Sequence, residues 1–230
     1  MSSARETAKL LSALAIIGVV VSSLCIWVYA TPSPSVTLPH TPFLLYYLEE
    51  RYVVQENGTA TLNFMSYVAV WSSSFNGTSA ILSVKERLGD VQTVEVNLFT
   101  RENNASQGGI LWWIPPAMPL GFTVDVEGNS FVVVGECEEW VNQLAREAVI
   151  LFYGDGEKVS VAKYDKGSGF LIDLKVRQGD SIIIYHLQSV LGAQLSISKY
   201  YYFRVILPFS LIPSLVAFFF SIPKIRRKIR

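Results

Sequence analysis

The sequence has few of the residues that cross-link a fold or bind a metal: its 230 residues include two cysteines and two histidines. Cys25 lies in an apolar run near the N-terminus and Cys137 lies mid-chain, so the middle of the chain cannot close a disulfide of its own. Its fold must therefore be held by a hydrophobic core, which about 170 residues can supply. Neither His40 nor His186 has a second His or Cys at ligand spacing, so we predict no histidine-based metal site.

The sequence also lacks recognisable catalytic motifs. It has no G-x-S-x-G nucleophile elbow, and its histidines fall in a proline-rich stretch (His40) and in a predicted strand (His186). Two glycine-rich stretches, 154–157 and 166–169, join strand to strand, so no helix N-terminus follows them to hold a phosphate. We therefore predict that the protein is not an enzyme and has no catalytic residue and no cofactor. A hydrolase with a site not visible in the sequence is a remote alternative.

Three acidic residues, Glu136, Glu138 and Glu139, surround Cys137. Carboxylates this close together could be pictured as a cation site. They lack, however, the D-x-[DN]-x-[DN]-G spacing that gathers oxygen ligands for calcium. We interpret the stretch as a solvated acidic turn and predict no metal there.

Charge is scarce and unevenly distributed. Charged residues make up 17% of the chain, yet residues 31–200 carry 18 of the 19 Asp and Glu residues and only 11 of the 19 Lys and Arg residues. Because a phosphate-binding surface needs a basic face, this acidic middle argues against nucleic acid as a partner. Residues 224–230, in contrast, hold five basic side chains, which beside an apolar run are typical of membrane topology and contact with anionic lipid.

Two long apolar runs flank the acidic middle. Residues 10–30 contain no charged side chain, and residues 203–222 contain only Arg204. A helix of about 20 residues is about 30 Å long, which matches the hydrocarbon core of a bilayer. We predict a transmembrane helix at 203–222. At 10–30 we predict either a retained transmembrane helix, which its length favours, or a signal segment that is cleaved.

The residues beside the two runs set the expected topology. Residues 1–9 and the basic tail 223–230 are predicted to be cytoplasmic, which places the middle of the chain outside the cytoplasm. The protein is then a two-pass membrane protein, or a single-pass one if residues 10–30 are removed. The predicted membrane-interface residues are Tyr200, Tyr201, Tyr202, Lys224, Arg226, Arg227, Lys228 and Arg230.

The middle of the chain has the pattern of an all-β domain. Residues 31–43 form a proline-rich linker, and residues 44–199 alternate short β-branched and aromatic runs with turn signals. We predict about ten short strands in an antiparallel curved sheet or a two-layer sandwich. Asn57-Gly58 predicts a type I′ hairpin turn, and residues 138–146 are predicted as a short helix or a loop.

Five residues of the middle domain are candidate surface sites. Asn57, Asn76 and Asn104 each begin an N-x-S/T sequon in a predicted turn or loop, where a glycan could be accommodated. Trp112 and Trp113 are adjacent, and adjacent strand residues point to opposite faces. One ring is then expected in the core and the other exposed, or covered by Pro115-Pro116 or by a partner, although in a two-layered domain both rings could lie in the core.

Part of the middle domain resembles a known pattern. Its segments include Trp112-Trp113-Ile114-Pro115-Pro116 and Lys163-Tyr164-Asp165-Lys166-Gly167-Ser168-Gly169-Phe170-Leu171, with 121–126, 134–136 and 147–151 between them. The pattern is similar to one in membrane-anchored envelope proteins of archaea, in which a threonine stands where this chain has Ser168. The same tight turn occurs in curved-sheet domains similar to lipoprotein-carrier folds. The resemblance covers residues 111–174 and implies a fold type and an envelope location, with no catalytic residue.

These observations fit two classes of function. The first is a membrane-anchored extracytoplasmic domain that binds or assembles with another membrane or envelope protein, in contact with the lipid bilayer. The second is a carrier whose curved sheet holds a lipid or another apolar ligand. A pocket lined by apolar side chains would favour the carrier, and a filled core with an exposed aromatic patch would favour the binding module.

Overall fold

The structure is a computed structural model, and its described residues fall into two compact units. It describes residues 2–30, 42–86, 89–103, 109–193, 195, 196 and 198, and, near the C-terminus, residues 204, 207–209, 212, 215 and 216. One unit comprises Met1–Ser33 with Ser198–Arg230, and the other comprises Pro34–Ile197. The first unit contains helix α1 (Ser2–Ala30), whose described side chains are those of residues 6, 12–24, 26 and 27.

No helix within the described ranges combines the length and the apolar character that a membrane crossing needs. The transmembrane helices predicted at 10–30 and 203–222 therefore have no support from the structure. Most of 203–222 lies outside the described residues, as do all of the predicted interface residues, Tyr200, Tyr201, Tyr202, Lys224, Arg226, Arg227, Lys228 and Arg230.

The Pro34–Ile197 unit, called here the β domain, is one antiparallel sheet of ten strands in the order β4-β3-β2-β1-β10-β9-β8-β7-β6-β5. This confirms the predicted antiparallel sheet, and the two-layer sandwich is wrong because all ten strands share one hydrogen-bonded sheet. The strands are β1 (Leu44–Val54), β2 (Ala60–Asn76), β3 (Ser79–Glu86), β4 (Gln92–Asn97), β5 (Thr123–Val126), β6 (Asn129–Val141), β7 (Leu144–Gly154), β8 (Lys158–Asp165), β9 (Leu171–Gln178) and β10 (Ser181–Leu191).

Two tight turns show how the sequence makes hairpins here. Glu127 and Gly128 both have positive φ (51° and 78°), as do Asn142 and Gln143 (50° and 63°), which is the conformation of a two-residue type I′ turn. The second turn corrects the prediction of a helix or loop at 138–146, where β6 and β7 continue to the turn with an unbroken register. The helix prediction failed because a type I′ turn without glycine leaves no strong sequence signal.

The hairpin at Asn57-Gly58 is present but differs from the predicted type I′ turn. Gly58 has φ +80°, whereas Asn57 does not have positive φ. The N–H of Gly58 donates to the carbonyl of Gln55, and the N–H of Gln55 donates to the carbonyl of Thr59. The loop thus has three residues, with only the last in the left-handed region. Asn57 instead accepts a hydrogen bond from the N–H of Thr59 (2.9 Å), which fixes the turn from its side chain.

The sheet is so strongly curved that a series of isolated β-bridges connects its two edge strands, β4 and β5. Val96 of β4 pairs with Asn103, Glu102 pairs with Gly109, and Gly109 pairs with Val126 of β5. Gly109 is required there because a Cβ at this position would lie 2.1 Å from the carbonyl oxygen of Asp125. We call this junction the seam.

Residues 109–118, called here the crossing segment, lie against the concave face of the sheet. Trp113 of the segment pairs with Phe170, the residue before β9, and the N–H of Leu171 at the start of β9 donates to the carbonyl of Trp112 (3.1 Å). Its side chains fill the interior together with inward-facing residues of the strands, so one continuous core supports the β domain. The largest fully buried side chains are Trp113, Arg101, Tyr47, Tyr164, Phe170, Leu45, Leu82, Ile114, Leu151, Leu171, Ile172 and Leu187.

Candidate functional site

The turn at residues 165–169 holds the crossing segment in place. The N–H of Ile114 donates to the carbonyl of Gly169 (3.0 Å), and the indole N–H of Trp113 donates to the carbonyl of Ser168 (2.9 Å). Gly169 has φ +78°, and a Cβ there would lie 2.0 Å from the carbonyl oxygen of Ile114. Glycine therefore permits both the backbone conformation and the close approach of the crossing segment.

Asp165 opens this turn and is completely buried. Its Oδ2 accepts hydrogen bonds from the N–H (2.7 Å) and hydroxyl (2.8 Å) of Ser168. Its Oδ1 accepts from the N–H (2.9 Å) and hydroxyl (2.6 Å) of Ser196, which follows the last strand. Burial raises the pKa of the carboxyl group, and the serine donors oppose that rise. The carboxylate joins the turn to the segment leaving the sheet, which is a structural role.

The structure buries both tryptophans that were candidates for partner contact. Trp112 is 8% exposed and lies 4.9 Å from the ring of Tyr47, and Trp113 is fully buried and stacks on Phe170. Of the two alternatives that the sequence left open, the one with both rings in the core is therefore correct, and the one with an exposed ring is wrong. It assumed that the two residues belong to a sheet strand, whereas the crossing segment lies across the sheet and presents both rings to the core.

Arg101 is a buried cation that the sequence analysis did not identify. Its guanidinium lies 3.7 Å from the centre of the Trp113 ring, and its Nη1 donates to the carbonyl of Leu98. Nε and Nη2 have no hydrogen-bond partner among the described residues. Burial lowers the pKa of Arg101 to about 9. A single arginine in the loop after β4 gives no periodic signal, so its burial depends on the fold.

A cleft of about 520 Å³ opens at the seam, and we call it the seam cleft. Apolar side chains, among them Trp112 and Ile110, line it together with polar side chains of β4 and of the β5–β6 hairpin. A volume in this range is typical of sites that hold small ligands or short segments. The lining residues are Val84, Gln92, Thr93, Val94, Asn103, Gly109, Ile110, Trp112, Asp125, Glu127 and Gly128.

Glu127 is the electrostatically distinctive residue of the seam cleft. Burial of its carboxyl group raises its pKa, and Lys158 and a hydrogen bond from the Leu111 backbone partly offset that rise. Asp125 stands beside it and accepts a hydrogen bond from the N–H of Gly128 (2.9 Å). The residues that line the cleft include no lysine or arginine, and Lys158 acts on Glu127 from outside the lining.

An aromatic patch covers part of the convex face of the sheet, and we call it the convex patch. It consists of Tyr46, Tyr67, Ala69, Trp71 and Leu191, and two shallow grooves of about 480 Å³ and 310 Å³ run through it. Tyr67 is 61% exposed and Leu191 is 58% exposed. The pairing of Tyr46 with Ala69 keeps these residues on one face. Large exposed apolar patches of this kind mark interaction surfaces.

The acidic stretch around Cys137 is a strand, which corrects the prediction of an acidic turn. Glu139 forms an ion pair with Lys163 (2.6 Å), and Glu136 forms one with Lys166 (2.7 Å). The two lysines lie on β8 and in the turn after it, and the Glu139–Lys163 pair is half-buried whereas Glu136 stays exposed. Within the described part of the chain, no group of three or more Asp, Glu, His or Cys residues could hold a metal ion.

His186 lies on β10 and contacts Asp173 on β9, with Nδ1 3.4 Å from Oδ1. This hydrogen bond raises the pKa of His186, and burial opposes the rise. His40 lies outside the described residues. The structure therefore places one of the two histidines in a cross-strand pair on the sheet.

Two of the three sequon asparagines are described, and both are exposed on hairpin turns. Asn57 lies in the β1–β2 turn and Asn76 lies at the β2–β3 turn. Asn104 lies outside the described residues. Glycosylation at the three positions stays a prediction.

Comparisons with known proteins give structural similarity without sequence similarity. No protein-family model matches the chain, and no curated protein matches it significantly. A complex of MucA and MucB from Pseudomonas aeruginosa is similar with a TM-score of 0.36 and 13% identity, covering 86% of this chain and 60% of that chain. A DUF1329 family protein from Desulfovibrio piger has a TM-score of 0.30 and 9% identity, covering 80% of this chain and 95% of that chain.

A third similar structure, from Vibrio parahaemolyticus, carries the description of an outer membrane lipoprotein-sorting protein domain. Its TM-score is 0.24 at 8% identity, and the match covers 72% of this chain and 91% of that chain. The archaeal part of the sequence resemblance finds no support among these structures. Against MucB the match spans 54–61% of that chain's length. Because every TM-score is below 0.5, the likeness does not bear on function.

Proposed function

We propose that this chain is a membrane-held protein of the cell envelope whose extracytoplasmic β domain binds another membrane or envelope protein through the convex patch. The observation that carries the proposal is the contrast between the two faces of the sheet. The crossing segment fills the concave face with Trp112 and Trp113, where a lipid carrier needs a hollow. On the convex face, aromatic side chains such as Tyr67 stay exposed.

The convex patch has the composition of a protein interface. Its centre is aromatic and aliphatic, and the charged residues Lys85 and Glu86 stand at its edge, where they line the smaller groove with Tyr46 and Tyr67. Tyrosine and tryptophan are enriched at the centres of interfaces, and charged residues are depleted there and found at the rim.

Attachment to a membrane is supported by the first apolar run and by the exposure of its side chains. Residues 10–30 lie in α1, and large apolar side chains of this helix, including Ile16, Val19 and Trp27, are 62–64% exposed. Exposed apolar side chains that lie close together mark a surface that contacts a membrane or another protein. The acidic β domain between two basic ends is the arrangement of an extracytoplasmic domain. Protease added to intact cells should remove the β domain and spare a C-terminal epitope tag; loss of the tag would contradict this topology.

A photo-crosslinking amino acid placed at position 67 of the full chain in its native membrane tests the binding function. One protein should link from position 67 and not from position 159, where the exposed Val159 of β8 lies away from the convex patch. Recovery of that protein with the unlabelled chain should fall when Tyr46 and Leu191 are replaced by serine. Equal labelling from positions 67 and 159, or unchanged recovery with the serine variant, would contradict a role for the convex patch.

A further inference from the structure

His186 lies on the convex face of the sheet, beside the convex patch. Leu48 of β1 pairs with Tyr67 of β2 on one side and with His186 of β10 on the other. Residues that pair directly across an antiparallel sheet point to the same face, so the imidazole stands two strands, about 10 Å, from Tyr67. A protein interface of standard size covers about 800 Å² on each partner, a disc about 30 Å across. A partner centred on Tyr67 therefore covers His186 as well.

Four charged side chains form a row that begins at His186 and leads away from the convex patch, and we call them the charged row. Nδ1 of His186 lies 3.4 Å from Oδ1 of Asp173 on β9. Oδ2 of Asp173 lies 3.7 Å from Nζ of Lys163 on β8, and that Nζ lies 2.6 Å from Oε2 of Glu139 on β6. All four side chains are partly buried, so their charges are only partly screened by water.

The charged row is electrically balanced only while His186 is protonated. Two cations then face two carboxylates. Histidine is the side chain whose ordinary charge change falls between about pH 5 and 8, whereas carboxylates and lysines keep their charges there. Loss of the proton leaves one cation against two carboxylates. Because Lys163 is closer to Glu139 than to Asp173, Asp173 is the carboxylate that then lacks a close counter-ion.

The neighbouring charged side chains of the described strands leave this balance unchanged. Glu50 of β1 and Lys175 of β9 both pair with the residue two positions before His186 on β10, so they share its face. Their charges are opposite and offset each other. Cys137 of β6 lies beside the charged row, and burial raises the pKa of its thiol, so the thiol stays uncharged near neutral pH.

A partner that covers the charged row removes water from it. Burial of an ion without a counter-ion costs far more than burial of a balanced pair. We propose that protonation of His186 controls binding at the convex patch, so that the partner binds tightly when the charged row is balanced and weakly when it carries a net negative charge. This inference rests on the proposed function and adds the regulation of the same surface.

Binding should therefore strengthen as the pH falls through the pKa of His186. The hydrogen bond with Asp173 raises that pKa above its ordinary value of 6.5, and burial of the ring opposes the rise. Since the His186–Asp173 attraction is stronger where water is excluded, the partner should raise the pKa further. By linkage, a rise of about one unit in the complex makes binding about tenfold tighter to the protonated chain.

The test uses the full chain with a photo-crosslinking amino acid at position 67, in native membranes solubilised with detergent. The membranes are diluted in series, and the dilution at which the yield of the cross-linked protein falls by half reports the apparent affinity. For the chain with His186, this dilution should be about tenfold greater at about pH 5.5 than at about pH 8.5.

Three substitutions in the charged row separate its titration from other effects of pH. His186→Arg keeps a positive charge beside Asp173, so it should bind tightly at both pH values. His186→Gln is uncharged and should bind weakly at both. Asp173→Asn should reverse the dependence, because Lys163 and Glu139 balance each other only when His186 is neutral. Melting curves at both pH values check that each variant is folded.

The outcomes distinguish this proposal from the proposed function. An apparent affinity from position 67 that is equal at both pH values, or tighter at about pH 8.5, would overturn the role of His186 and leave the convex patch as the binding surface. The same pH dependence in the folded His186→Arg and His186→Gln variants would assign the effect to the partner and also overturn it. If no protein links from position 67 at either pH, the proposed function and this inference both fail.

Discussion

Replacing Gly169 by alanine should destabilise the β domain far more than the same replacement at Gly128. Both glycines have φ +78°, so a side chain costs each of them the same left-handed strain, about 1 kcal/mol. At Gly128 nothing lies within 4 Å of an added Cβ. At Gly169 the Cβ would lie 2.0 Å from the carbonyl oxygen of Ile114, so the crossing segment must move away.

The additional cost at Gly169 can be estimated from what the movement breaks. The hydrogen bond from Ile114 to Gly169 is lost, which costs about 1 kcal/mol. The stack of Trp113 on Phe170, with ring centres 5.3 Å apart, is loosened, which costs about 1 kcal/mol more. We expect Gly169→Ala to lower the stability by about 3 kcal/mol in total and Gly128→Ala by about 1 kcal/mol.

Thermal unfolding of the full chain, followed by tryptophan fluorescence and circular dichroism, measures the difference. For a domain of this size, each kcal/mol corresponds to about 2–4 °C in Tm, so the two variants should differ by about 4–8 °C. The fluorescence of the Gly169→Ala variant should also shift to the red before unfolding, because Trp113 becomes exposed to water. Equal Tm values for the two variants would refute the idea that the 165–169 turn holds the crossing segment in place.

Three further predictions follow from polar groups and from the seam. Asp165→Asn should destabilise the domain by about 2–4 kcal/mol, because an amide N–H would face one of the buried donors. Asp155→Asn is the control and should change the Tm little, because Asp155 accepts similar backbone bonds in an exposed turn. Asp173→Asn should lower the pKa of His186 measured by NMR. Because the folded-state pKa of His186 is raised, its pair with Asp173 stabilises the folded protein below pH 6.5, and this stabilisation is lost as the pH rises through the folded pKa. A difference in Tm between the unmodified chain and Asp173→Asn that grew toward pH 8 would therefore contradict the prediction. Gly109→Ala should separate β5 from the bridging residues and speed amide exchange at Glu127, whose N–H donates to the carbonyl of Gly109. Gly89→Ala is the control, because the nearest atom to an added Cβ there is 3.8 Å away. Equal exchange at Glu127 in both variants would contradict the close contact at Gly109.

Local signals in the sequence predicted the sheet well, because each hairpin is specified by residues close together in the chain. Asn57-Gly58 marks one of the turns, and the alternation of β-branched and aromatic runs with turn signals marks the strands. The turn at Asn142-Gln143 escaped prediction, since it places two residues other than glycine at positive φ. Strand existence was thus predictable, whereas the exact turn type was not.

The interior could not be predicted from local pattern, because it depends on contacts between distant parts of the chain. Trp112 and Trp113 share the core only because the crossing segment leaves the plane of the sheet, and no periodicity reports that departure. Arg101 is buried over Trp113, and the seam cleft forms where β4 and β5 approach through Gly109. The residues of the candidate site were all visible in the sequence, but their proximity was not.

The pairing of the first and last strands has a mechanical consequence. β1 and β10 are neighbours at the centre of the sheet, and Leu44, at the start of β1, pairs with Leu191, at the end of β10. A force that pulls the two ends of the domain apart would load this pair first and then open the ladder one pair at a time, instead of shearing all of its bonds together. Under tension the sheet should part between β1 and β10, and its two halves would stay joined by the chain between β4 and β5.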